Sequence, residues 1–141
     1  MATQSVIDAA KAPITAYNNK DWKAVKAAVA TGYVYDEVAT QRKVEGHDDF
    51  LAVCQGWATA LPDSKGEIHS AIAGGNTVTV ELTWRGTHKG PLQMPSGPIA
   101  PTGKRIELRA CQVTEVADGK AKATRHYYDM ATLLRQLGVG S

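Results

Sequence analysis

The sequence predicts an α+β domain in which three N-terminal helices cover one face of a curved antiparallel sheet. Two observations carry this reading. Before residue 62, apolar residues recur at helical spacing in three segments. From Gly66 onward the spacing shortens to two, between turn signals at Gly74-Gly75-Asn76 and Asp118-Gly119-Lys120. With 141 residues, 43% of them hydrophobic, the chain can bury one core, so residues 1–141 are read as a single domain.

The first helix spans 4–18, with Val6, Ala9, Ala10, Ile14 and Tyr17 near helical spacing. Pro13 should kink it or mark a late start, because proline removes a backbone donor. Asp21 caps a second helix carrying Trp22, Val25 and Val29, which should stop at Thr31-Gly32. Tyr33 to Ala39 reads as a strand. Gly46 precedes a third helix, with Asp48 and Asp49 in its first turn and a stripe from Phe50 to Leu61 that Pro62 closes. Strands follow at Glu67–Ala73 and from Thr77, where Val78, Val80, Leu82 and Trp84 share one face. Residues 88–103, with Pro91, Pro95, Pro98 and Pro101, read as a stiff loop, placed as a lid over a cavity with Met94 and Ile99 beneath. The strand Arg105–Val116 loses its alternation between Ala110 and Val113, which predicts a bulge there.

Composition excludes several function classes. A net charge of +2, without a run of basic residues, argues against nucleic acid as a partner. No apolar run is long enough for a membrane span, and Met-Ala-Thr-Gln does not begin a signal peptide. Cys54 and Cys111 stand apart and read as reduced thiols, which places the protein in the cytoplasm. His47, His69, His88 and His126 show no metal-ligand spacing, so no metal is expected. The chain lacks Gly-x-Gly-x-x-Gly and Gly-x-Ser-x-Gly, so neither a dinucleotide cofactor nor a serine nucleophile is expected.

The chemistry is sought in Thr124–Gly138, a strand running into a terminal helix. Strand parity puts Arg125, Tyr127 and Asp129 on one face, and His126, Tyr128 and Met130 on the other. A carboxylic acid among aromatic rings is a candidate acid or base, since desolvation raises its pKa. Asp129 is also well placed to cap the terminal helix. Tyr17, Tyr35, Trp57 and Trp84 are candidate cavity walls, and His88 opens the proline-rich loop. Asp36 and Glu37 are adjacent on a strand, so at most one reaches a cavity.

Several segments then point to a family. Trp84-Arg85-Gly86-Thr87-His88 with Gly90, Pro101-Thr102-Gly103-Lys104, Asp118-Gly119-Lys120, Arg125-His126-Tyr127-Tyr128-Asp129 and Gln136-Leu137-Gly138 occur in this order. Tyr17-Asn18, Val34-Tyr35-Asp36-Glu37 and Glu45-Gly46 precede them. Together they resemble the SnoaL-like polyketide cyclases (ester cyclases) of the nuclear transport factor 2-like superfamily.

That resemblance implies an α+β cone enclosing one deep cavity. It also implies an intramolecular aldol ring closure on an aromatic polyketide ester, with neither metal nor cofactor. The family's catalytic aspartate falls on Asp129, with Arg125 to hold it or to steady an enolate oxygen. The supporting histidine on the preceding strand has no counterpart between His88 and His126. Tyr17, Tyr35, Trp57, Trp84, His88 and Tyr127 are then the expected contacts to a hydrophobic small molecule. A ketosteroid-isomerase-like reaction and a non-catalytic binding domain are the alternatives. The apolar and aromatic content of both sheet faces further predicts a homodimer through the outer face, around His69, Val113 and Tyr128.

Overall fold

The computed structural model describes residues 3–139. Its elements are α1 (Thr3–Asn18), α2 (Trp22–Ala27), β1 (Val29–Glu37), β2 (Arg42–Glu45), α3 (His47–Ala60), β3 (Lys65–Gly74), β4 (Thr77–Thr87), β5 (Leu92–Met94), β6 (Gly97–Ile99), β7 (Arg105–Ala117), β8 (Lys120–Tyr128) and α4 (Met130–Leu137). The main sheet has the order β2-β1-β8-β7-β4-β3. All its pairings are antiparallel except β1 with β8, where Tyr35 lies opposite Thr124 and Glu37 opposite His126. That parallel pairing brings the first strand beside the last and sets the residues of both on one wall. Among the described residues no helix is long and apolar enough to cross a membrane.

Local chemistry accounts for most element ends. The Asp21 side chain accepts from the Ala24 amide at 3.1 Å, as a cap should. The second helix nevertheless stops at Ala27, not at Thr31-Gly32, because Val29 already belongs to β1 and lies opposite Ala121. Gly46 sits at φ 101, where a side chain would be strained, and its amide bonds the Tyr33 carbonyl at 2.7 Å before α3 begins. Pro13 does not delay α1: the helix runs from Thr3 through it, and Pro13 is buried in the inner wall.

The inner sheet face is read from the register. Val78, Val80, Leu82 and Trp84 of β4 lie opposite Thr114, Gln112, Ala110 and Leu108 of β7. Of these, Thr114, Gln112 and Ala110 in turn lie opposite Thr124, His126 and Tyr128 on β8. Burial on β7 alternates without a break from Ile106 to Val116, so the bulge predicted between Ala110 and Val113 is absent. The irregularities fall instead at Val29/Val34, Ile68/Ser70 and Glu115/Val116. Inward polar residues at 112 and 114 had disguised the alternation.

Residues 88–103 contain the small β5–β6 hairpin. Leu92 and Met94 pack with Ala60, Leu61, Leu133 and Leu137, and Ile99 lies against the same cluster. None of residues 88–103 lines the cavity, so the segment braces the wall from behind and is not a lid over it. The outer face carries Ile72, 68% exposed, and Tyr127, 40% exposed. Tyr128, expected there, points inward instead.

Candidate active site

Between α1, α3 and the inner sheet face lies a narrow cavity of about 90 Å³, open at one end. Aromatic rings, with aliphatic side chains between them, form its wall. Tyr33 meets Phe50 edge-on at 4.7 Å, and Tyr17 meets Trp84 edge-on at 5.5 Å. Trp57 and Tyr128 meet edge-on at 6.3 Å. Alternation on β1 turns Tyr33, Tyr35 and Glu37 inward together.

Glu37 is the one carboxylate in this wall and is 1% exposed. Four donors surround it. Oε1 accepts from Thr40 at 2.5 Å and Arg42 at 2.9 Å, while Oε2 accepts from Trp57 Nε1 at 2.9 Å and Tyr35 at 3.2 Å. A carboxylate has about four lone-pair directions, so this one is filled. It is a fixed negative charge, ion-paired to Arg42, rather than a free base.

Beyond Tyr35 stands His126. Its Nδ1 lies 2.7 Å from the Tyr35 hydroxyl, and its Nε2 lies 3.1 Å from Trp84 Nε1. An indole N–H can only donate. Nε2 must therefore be the acceptor, which puts the proton of a neutral imidazole on Nδ1. The chain of donors then runs in one direction: Trp84 to His126, His126 to Tyr35, Tyr35 to Glu37. Burial pulls the imidazole down to about 4, with the Glu37 charge pulling the other way. Burial and the same charge push the Tyr35 hydroxyl well above the usual phenol range, so it keeps its proton.

This neutral histidine makes stability depend on pH. Its native pKa lies below the unfolded value of 6.5, so unfolding takes up a proton between about pH 6.5 and 4. Stability from this group is complete above 6.5 and is lost as pH falls through 4. The expected loss is about 3 kcal/mol, read as a lower urea midpoint at pH 4 than at pH 7.5. His126→Gln should flatten that dependence.

Tyr17, Tyr35, Trp57 and Trp84 all line the cavity. The hydroxyl of Tyr17 is already engaged by Ser64 at 2.6 Å. The other expectations need correction. Asp129 is exposed and caps α4, accepting from Thr132 Oγ1 at 2.6 Å and the Ala131 amide at 3.2 Å. The Thr132 hydroxyl holds its carboxyl below the usual range, the reverse of what an acid at neutral pH needs. Arg125 faces outward, 3.5 Å from Glu115, and Tyr127 is on the same outer face. His88 is fully buried at the end of β4, with Nδ1 bonded to Thr102, and does not line the cavity. Parity had grouped these residues correctly, but the cavity lies on the opposite face. Tyr33, Glu37, Ser64, Gln112, His126 and Tyr128 are polar lining residues that the sequence reading did not place there. Among the described residues no cluster of three or more His, Cys, Asp or Glu could hold a metal ion.

Comparison with known proteins agrees with this architecture. TsrD of Streptomyces laurentii superposes with a TM-score of 0.84 at 21% identity, over 99% of each chain. IdmH of Streptomyces antibioticus, a candidate polyketide cyclase, gives 0.80 at 23% identity, over 95% of this chain and 99% of its own. An M. tuberculosis LEH-like epoxide hydrolase gives 0.74 at 24% identity, over 96% and 90%. Among curated proteins no significant match is found. The SnoaL-like polyketide cyclase family model, however, matches residues 7–137. An α+β fold with a curved, mostly antiparallel sheet and a sequence match over nearly its whole length make this chain a member of the SnoaL-like polyketide cyclase family.

Proposed function

We propose that the protein is an enzyme of the cyclase or isomerase kind, moving a proton next to a carbonyl group in a hydrophobic small molecule. The observation that carries this is the wiring of a neutral imidazole through Tyr35 to the buried Glu37 carboxylate, inside an aromatic cavity. His126 accepts and returns the proton at Nε2. Tyr35 and Glu37 hold its tautomer and offset the positive charge that forms. Trp84 Nε1 donates to Nε2, so the indole must yield before that nitrogen can take a proton from a ligand. Loss of that hydrogen bond strengthens the base at the moment it is needed.

Aldol ring closure and a double-bond shift share this first step and differ in where the carbon nucleophile goes. Family membership favours ring closure on an aromatic or polyketide-like substrate. The polar groups in the wall favour catalysis over simple binding. Both cysteines are free, which fits the cytoplasm we assign. A second copy covering Ile72, Val113 and Tyr127 on the outer face completes the proposal. Sedimentation should then give a dimer at micromolar concentration, and a monomer would contradict it.

The experiment is deuterium exchange into the α-carbon of 2-tetralone in D2O, followed by NMR. The protein should accelerate exchange, and Asp129→Asn should leave the acceleration within about threefold, since Asn still caps a helix. No acceleration by the wild type, or its loss in Asp129→Asn, would overturn the assignment.

A further inference from the structure

Most polar groups on the inner sheet face have partners within the protein. Thr114 and Thr124, opposite each other on β7 and β8, share a hydrogen bond of 2.9 Å. His126 and Tyr35 are joined, as are Tyr17 and Ser64. One group on the same two strands breaks this pattern. The Tyr128 hydroxyl is buried without a hydrogen-bond partner. The Gln112 side chain lines the cavity on the neighbouring strand.

A buried polar group without a partner is uncommon, because leaving it unsatisfied costs about 1–3 kcal/mol. Folding alone does not account for a tyrosine at 128 where phenylalanine would fill the same space. Its ring packs edge-on against Trp57 at 6.3 Å and His126 at 5.6 Å, which fixes the position of the hydroxyl oxygen. Burial, with the Glu37 charge, pushes this phenol far above its ordinary range, so it stays protonated and able to donate. Gln112 brings an N–H2 donor.

The register brings these donors together. Gln112 lies opposite His126, and Tyr128 lies opposite Ala110, so Gln112 and Tyr128 are diagonal neighbours about 7–8 Å apart on one face. His126 sits beside both. We propose that Gln112 and Tyr128 are specificity-determining residues that each donate a hydrogen bond to one carbonyl or enolate oxygen of the ligand. An oxygen held there puts the carbon next to that carbonyl close to the His126 ring. This placement rests on the proton-transfer reading above; the recognition of the oxygen does not.

The two can be tested apart by measuring binding without turnover. The probes are 2-acetylnaphthalene, with a 13C-labelled carbonyl, and 2-ethylnaphthalene, which has the same shape without the oxygen. Dissociation constants come from quenching of tryptophan fluorescence. The wild type should bind the ketone about 10–30-fold tighter, and the labelled carbonyl band should move to lower frequency on binding. Tyr128→Phe and Gln112→Leu should each remove about 3–10-fold of that preference and part of the band shift, while affinity for the hydrocarbon stays unchanged. An unshifted band in the wild type overturns the proposal without reference to any variant. So do equal affinities for the two probes, or no saturable binding of either. A shifted band in a protein that catalyses no exchange would leave the recognition intact and remove the proton-transfer reading instead.

Discussion

His126→Gln should slow α-carbon exchange by about 10²–10⁴-fold, the usual worth of a positioned general base. Glutamine can accept from Trp84 Nε1 and donate toward Tyr35, so both hydrogen bonds at the site have a replacement. What it lacks is a nitrogen that takes up and releases a proton. The wall and the affinity for an apolar ligand should therefore change little. A rate loss below about tenfold, with binding intact, would show that another group moves the proton.

Glu37→Leu should be the most damaging single change to stability, costing about 3 kcal/mol or more. Leucine removes the acceptor of the Trp57 and Tyr35 donors and the partner of Arg42, all at a residue that is 1% exposed. Arg42 is still partly open to water, which keeps the cost below that of a fully enclosed ion pair. Urea unfolding followed by tryptophan fluorescence measures it. A loss under 1 kcal/mol would mean that the carboxylate is not the anchor of this wall. Glu37→Gln should fall between, since one amide end retains two acceptor positions while the other faces donors.

Much of the fold was legible because local signals and tertiary packing agree. The stripe in α3, the alternation in β4 and the turn at Asp118-Gly119 needed nothing beyond the sequence. β2 did not announce itself: Arg42-Lys43-Val44-Glu45 has no apolar face and is ordered by pairing with β1. The parallel contact of β1 with β8 is also a long-range event that no local pattern reports.

The candidate site was half legible. Aromatic content marked Tyr17, Tyr35, Trp57 and Trp84 as wall residues, and period two sorted the last strand into its two faces. Choosing between those faces required the neighbouring strands. Tyr33 and Tyr35 share parity with Glu37, and Leu108 and Ala110 share parity with Gln112. Followed strictly, those alternations would have favoured Glu37 over Asp36, and, with the strand order known, His126 over Asp129. A capping aspartate before a helix was the more conspicuous signal, and Asp129 does cap α4.

The account stands most directly on the protonation state of His126. Nitrogen-15 chemical shifts of its imidazole, measured from pH 7.5 down to 4, report which nitrogen carries the proton and when the second arrives. The geometry predicts a neutral ring protonated at Nδ1, with no second proton above about pH 4. In Trp84→Phe the freed Nε2 should titrate at a higher pH. A wild-type ring that carries its proton on Nε2, or that titrates near 6.5, would contradict the relay from Trp84 through His126 and Tyr35 to Glu37.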